Sequence, residues 1–276
     1  MSRRTIAIAA ALSVLALGSP LITARANPLA RQYFNQGVEK YEADNYQGAI
    51  SDWSKAIEIN PQHARAFANR GAAKNELGDY QSAIADCTKA IEINPKIALA
   101  YYNRGVAKGK LEDYRGAIAD YNKALEINPD DGYVYYNRGN AKLKFKEYQG
   151  AIADYNKALE INPDDANAYY NRGNAKDELK DYQGAIADYS KAIGINPDDA
   201  DVYVNRGIAK RKSKDYQGAI ADYNKAIEIT PELADAYTNR GIARELANDL
   251  DGACRDWRKA ADFGLTQPAE WVKKQC

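Results

Sequence analysis

The feature that most constrains this chain is a period of 34 residues, kept by Gly37, Gly71, Gly105, Gly139, Gly173, Gly207 and Gly241. Pro61, Pro95, Pro129, Pro163, Pro197 and Pro231 hold the same spacing. Self-similarity at a fixed period of this length marks stacked supersecondary units, each burying its apolar face only against its neighbours. Length therefore counts units here, not globular domains.

Inside one unit, Tyr169 to Pro197, apolar and small residues recur at helical spacing: Tyr169, Gly173 and Ala175, then Tyr182, Ala185, Ile186, Tyr189, Ala192 and Ile193. The pattern predicts two amphipathic helices. Asp181 between them has the side chain to cap a helix start, and Asn45, Asp79, Asp113, Glu147, Asp215 and Asp249 occupy the same slot. Asn196-Pro197 predicts the end of the second helix, because a residue before proline is driven out of the α region, and Asp198 and Asp199 can open the next unit. Gly173, Ala185 and Ala192 remove bulk where the two axes approach, and Tyr182 and Tyr189 fill the space around them.

On the spacing of its glycine, alanines, aromatic and proline, the chain resembles the tetratricopeptide repeat. The resemblance runs from about Ala30 to Asp262 and implies an all-α fold, a right-handed superhelical solenoid of helix-turn-helix repeats. Seven repeats are expected, at 30–63, 64–97, 98–131, 132–165, 166–199, 200–233 and 234–263, closed by a capping helix within 264–276 that opens on Thr266. The sequence departs from the family pattern in two slots. Arg70, Arg104, Arg138, Arg172, Arg206 and Arg240 precede the glycine where a large apolar residue is usual, and Lys74, Lys108, Lys142, Lys176, Lys210 and Arg244 stand where an aromatic is common. An aspartate recurs on the second helix (Asp52, Asp86, Asp120, Asp154, Asp188, Asp222 and Asp256), which predicts a ladder of Arg–Asp pairs. Arg172 would pair with Asp188 or with a neighbouring unit's aspartate.

Residues 1–26 lie outside the period. Arg3 and Arg4, the uncharged stretch Ile6 to Gly18 and the Ala24-Arg25-Ala26 site read as a secretory signal peptide that leaves Asn27 first. An uncleaved anchor is one alternative, and Ser2-Arg3-Arg4 hints at the twin-arginine route. The expected location is the periplasm or another extracytoplasmic compartment, with no membrane insertion once the signal is removed.

The residues argue against catalysis and against nucleic acid. With 38 basic and 38 acidic residues the formal charge is +0, so no net field draws the chain to a polyanion. His63 is the one histidine; no His/Cys/Glu cluster has metal spacing and no glycine loop cradles phosphate, so neither metal nor cofactor is expected. Carboxylates recur with the period, whereas a catalytic group would occur once.

The resemblance implies instead a groove lined by the first helices, which binds a protein or peptide partner. Its positions fall on Tyr102, Asn103, Tyr133, Tyr136, Asn137, Asn140, Tyr170, Asn171 and Asn174. Asparagine both donates and accepts, which suits an extended backbone; tyrosine adds apolar area and a hydroxyl. The competing reading of the same residues is packing between adjacent first helices. A carbohydrate or cell-wall ligand is the alternative to a protein. The family's clamp for acidic chaperone tails needs lysine in the fifth slot, where Phe34, Ala68, Tyr102, Tyr136, Tyr170, Val204 and Thr238 stand, so that clamp is absent. Tyrosine fills this slot only in the third to fifth repeats, which places the expected site there. Lys108, Lys110, Lys142, Lys144, Lys146, Arg211, Lys212 and Lys214 fall at first-helix ends, as a solvated face or a basic rim.

Three cysteines remain. Cys254 takes a slot held elsewhere by isoleucine, on a face that should meet the capping helix ending at Cys276. A disulfide between them is expected, leaving Cys87 buried and free. The oligomeric state is open.

Overall fold

A computed structural model describes residues 27–276, so the expected signal peptide lies outside the described residues. The described residues are helix and turn throughout, and they form two compact units divided between Phe145 and Lys146.

The N-terminal unit holds α1 (Pro28–Glu42), α2 (Tyr46–Ile59), α3 (Ala64–Glu76), α4 (Tyr80–Ile93), α5 (Ala98–Lys110), α6 (Tyr114–Ile127) and α7 (Gly132–Lys144). The C-terminal unit holds α8 (Tyr148–Ile161), α9 (Ala166–Glu178), α10 (Tyr182–Ile195), α11 (Ala200–Lys212), α12 (Tyr216–Ile229), α13 (Ala234–Leu246), α14 (Leu250–Asp262) and α15 (Thr266–Gln275). In each unit every helix packs on the next in sequence, and first helices also touch one another, as α3 does α5 and α11 does α13.

One residue both closes the first helix of a pair and opens the second. At the end of α1, Asp44 takes a left-handed φ of 61°, its N–H donates to the Tyr41 carbonyl, and the Asn45 N–H donates to the Lys40 carbonyl. This pair of bonds satisfies carbonyls that a helix end otherwise leaves orphaned. The Asn45 side chain then accepts from the Gly48 N–H and caps α2. Asp113 repeats the arrangement, donating to the Lys108 carbonyl and capping Gly116, and so do Asp181 and Asp215. Glu147 stands in the same slot but makes no side-chain cap bond. Its extra methylene carries the carboxylate past the free N–H groups, which is why Asp and Asn are the better caps.

Second helices end where the sequence places proline. Asn94, before Pro95, leaves the helix at φ −143° and ψ 99°. Asp131, Asp165 and Asp199 then cap α7, α9 and α11, and His63 caps α3 through Nδ1.

The helices of a pair meet through small residues. A Cβ on Gly105 would lie 2.7 Å from the Tyr121 ring, which is 4% exposed, so only glycine lets that ring under the first helix. Ala117 and Ala124 complete this contact in the N-terminal unit. In the C-terminal unit Ala185, Tyr189 and Ala192 do the same. The slot of Tyr121 holds Cys87 in α4, buried and free, and burial pushes its thiol up to about 12.

At the chain's end α15 packs on α14, with the Trp271 and Trp257 rings 5.3 Å apart and Pro268 buried. Cys254 and Cys276 are disulfide-bonded. Thr266 is the first helical residue, not a cap: extended Leu265 precedes it and offers no side-chain acceptor.

Candidate protein-binding face

The arginine before each glycine is spent on the fold. Arg104 on α5 donates from Nε to Asp120 Oδ2 at 2.9 Å and from Nη2 to Oδ1 at 2.7 Å, a bidentate grip on α6. Lys108 Nζ joins Oδ2 at 2.8 Å, so the buried carboxylate is held by two cations from one helix. The third nitrogen, Nη1, reaches back to Thr88 Oγ1 on α4 at 3.1 Å, and the guanidinium lies over the Tyr101 ring. Hydrogen bonding to Asp120 raises Arg104 above the ordinary arginine range. The same clasp recurs at Arg70–Asp86–Lys74, Arg172–Asp188–Lys176, Arg206–Asp222–Lys210 and Arg240–Asp256–Arg244. Each of these arginines pairs with the aspartate of its own helix pair, not a neighbour's. With all three nitrogens engaged, they are ties in the fold and not ligand contacts. The lysine or arginine four residues on is the partner that sequence reasoning missed, although its own period, twelve residues ahead of each aspartate, was there to be read.

Several of the expected groove residues are stitches between helices. In the N-terminal unit, Asn103 is 5% exposed; its Nδ2 donates to the Ala68 carbonyl, and its own carbonyl accepts from Asn75. Asn137 on α7 donates to the Tyr102 hydroxyl at 3.2 Å and to the Tyr133 carbonyl at 2.9 Å, and Tyr102 packs 6.0 Å from Tyr121. In the C-terminal unit the Tyr170 hydroxyl accepts from Asn205 at 2.6 Å, and Asn174 Oδ1 accepts from the Tyr189 hydroxyl at 2.8 Å. Burial raises Tyr170 and Tyr189 above the usual phenol range. Tyrosine in the fifth slot and asparagine in the sixth slot of the following first helix thus form bonds between helices. Tyr133, Tyr136, Asn140 and Asn171 are partly exposed. The side chain of Tyr133 is committed to no such bond, and it stands beside the Asn137 that fixes its helix to α5.

Charge at the helix ends is mixed. Lys110 and Lys144 are exposed, whereas Lys212 pairs with Asp177 and lies over the Tyr182 ring. Asp131, Asp165 and Asp199 at the start of first helices are used as caps. No group of three or more His, Cys, Asp or Glu side chains among the described residues is arranged to hold a metal ion. No described helix is long and apolar enough to cross a membrane.

Comparison with known proteins agrees with this geometry. The tetratricopeptide repeat profile matches residues 64–97, 98–131 and 166–199; related tetratricopeptide profiles match 146–177, 209–246 and 120–153, together more than half of the chain. No curated protein matches the sequence. Among solved structures the chain is similar to YrrB, described as a TPR protein with an unusual peptide-binding site: TM-score 0.61, 26% identity, 67% of this chain and 95% of that one. It is similar also to MamA, with TM-score 0.56 and 28% identity over 60% of this chain and 96% of that one. A tetratricopeptide protein from Parabacteroides merdae ATCC 43184 shares the fold at 21% identity and TM-score 0.62, covering 90% of this chain and 98% of that one. Repeat period, helix pairs and profile together make this chain a member of the tetratricopeptide repeat family, whose proteins are in general protein-interaction scaffolds.

Proposed function

We propose that this chain is an exported, non-catalytic scaffold of seven repeats that binds an extended segment of a partner protein on its first helices and supports complex assembly in an extracytoplasmic compartment. The observation that carries the reading is the division of labour on α5 and α7. Asn137 and Tyr102 lock the two helices together, and the partly exposed Tyr133 is presented from a backbone already fixed. A preorganised tyrosine contributes area and a hydroxyl with little ordering cost. Tyr170, Asn171 and Asn174 on α9 offer the same residue types in the C-terminal unit. The similarity to YrrB supports a peptide as the ligand class, and the leader-like residues 1–26 support export.

The test separates the two halves of that division. Tyr133→Ala is expected to weaken the partner by about 1–3 kcal/mol with the melting temperature nearly unchanged, as a central anchor would. Asn137→Ala is expected to lower the melting temperature first, because it removes the tie to Tyr102. Normal binding by the Tyr133 variant would move the site off the first helices.

A further inference from the structure

We propose that the C-terminal ends of α3, α5 and α7 carry a docking stripe for a second copy of this chain. The residue that closes each first helix is Ala43, Leu77, Leu111, Phe145, Leu179, Ser213 and Ala247 in turn, with φ between −80° and −91° every time. Alanine and serine close their helices as leucine does, so the fold does not require an apolar side chain in this slot. The N-terminal unit nevertheless carries three in succession, and Leu77 is 50% exposed, Leu111 40% and Phe145 46%. Because α3 packs on α5 and α5 on α7, at roughly 8–10 Å between neighbouring axes, the three form one continuous stripe. A contiguous exposed apolar run rimmed by charge marks an interaction surface.

The charges beside the stripe point to its occupant. Glu76, Lys110 and Lys144 stand just before the three apolar residues, and Glu112 follows Leu111. All four are exposed, and none is tied in an ion pair among the described residues, unlike Lys89 with Glu92 or Lys123 with Glu126. Glu76 has only the Tyr41 hydroxyl beside it. Along the stripe, one end is therefore acidic, the other basic, and the middle carries one charge of each sign. Two such stripes set antiparallel about a dyad put Leu77 on Phe145 of the second copy, Leu111 on Leu111, and Glu76 opposite Lys144 twice over. At the axis Lys110 and Glu112 of each copy bring together two charges of each sign. A two-fold contact has to match itself in this way. Its apolar centre and charged rim have the anatomy of a protein interface, and three side chains place it at the small, weak end of the range. The inference does not rest on recognition at Tyr133, which lies at the opposite end of α7 from Phe145.

The experiment is sedimentation velocity on the full chain over a wide concentration range, with circular dichroism as the check on folding. Every variant keeps residues 1–26 unchanged, so association through them is the same in all. The unaltered chain is expected to dimerise as concentration rises. Leu77→Ala/Leu111→Ala/Phe145→Ala places in three repeats the residue that Ala43 and Ala247 already supply in two others. It is expected to raise the dissociation constant about tenfold or more, as loss of central anchors does. A second set of variants asks whether the occupant is the same chain. Glu76→Lys alone and Lys144→Glu alone are each expected to weaken the dimer about two- to fivefold, on the scale of exposed ion pairs. The double exchange Glu76→Lys/Lys144→Glu is expected to restore it, because each copy then offers opposite charges at both ends. A chain that stays monomeric throughout, a dimer untouched by the alanine variant, or a double exchange no tighter than the single ones would overturn the proposal. Should the alanine variant fail to fold, the charge exchange decides alone.

Discussion

The first and third helix pairs carry aspartate in the same slot and hold it differently. Asp120 on α6 receives two directed bonds from Arg104 and a third contact from Lys108, whose side chain is 23% exposed. Asp52 on α2 has Gln36 where the arginine would stand, and it relies on Lys40, 43% exposed, whose Nζ comes within 2.5 Å of Oδ2 without making a directed hydrogen bond. Asp52 is thus paired through Lys40, with the Lys55 Nζ at 3.7 Å from Oδ1. What separates the pairs is the third nitrogen of the arginine. In Arg104 it ties α5 back to Thr88 on α4, and no described helix precedes α1 to receive such a tie. The arginine therefore joins neighbouring pairs as well as the two helices of one pair, and glutamine stands in the pair that no described helix precedes.

The sharpest way to break this comparison is to remove the two aspartates separately. Asp120→Ala leaves Arg104 and Lys108 partly buried without their acceptor, and it is expected to cost about 3–5 kcal/mol. Asp52→Ala frees a lysine that can return to water, and it is expected to cost about 1 kcal/mol. Equal losses in urea denaturation would show that the arginine adds nothing to the grip. A smaller effect should follow from Arg104→Lys, which keeps the charge but loses the fork on Asp120 and the bond to Thr88, at about 1–3 kcal/mol. If that variant unfolds at the same urea concentration as the unaltered chain, the bidentate geometry is incidental.

The smallest effect concerns the junction after the first pair. His63 caps α3 through Nδ1 and stacks on Phe34 at 4.9 Å, whereas Asp131 caps α7 with a carboxylate. Burial lowers His63 below the ordinary histidine range, and the nearby Arg65 charge lowers it further. Because its folded value lies below the unfolded one, its contribution is present above about pH 6.5 and is lost as pH falls through the folded value. A cap of this kind contributes about 0.5–2 kcal/mol. Protection of the Ala66 amide, taken relative to its intrinsic exchange rate at each pH, should therefore fall on acidification, while protection at Val134 should not follow the imidazole. With a single histidine in the chain, its own proton titration can be read without ambiguity; a folded value above the ordinary one would contradict the stated environment.

The period made the helix pairs legible, because glycine under a tyrosine ring, aspartate at the cap and proline after the second helix each act locally and recur. Arg172 with Asp188 could also be read, since charge and spacing named both partners. The lysine of the clasp was less legible: Lys176 at a first-helix end resembles any cation near a helix C-terminus, and only the turn brings it onto Asp188. The candidate face was legible in residue type but not in role. Asn137 and Asn103 have the chemistry to meet a peptide backbone, and the fold already uses both on neighbouring helices. Whether an amide meets a ligand or a neighbour depends on the distance between first helices, which no single repeat encodes.

The most direct test of the account places a photoreactive phenylalanine analogue at Tyr133, and separately at the exposed Lys123 on α6, in the full chain within its own cells. Tyr133 should yield a cross-link to one partner protein that disappears in competition with the unaltered chain, and Lys123 should yield none. A partner captured from Lys123 and not from Tyr133 would contradict the assignment of recognition to the first helices.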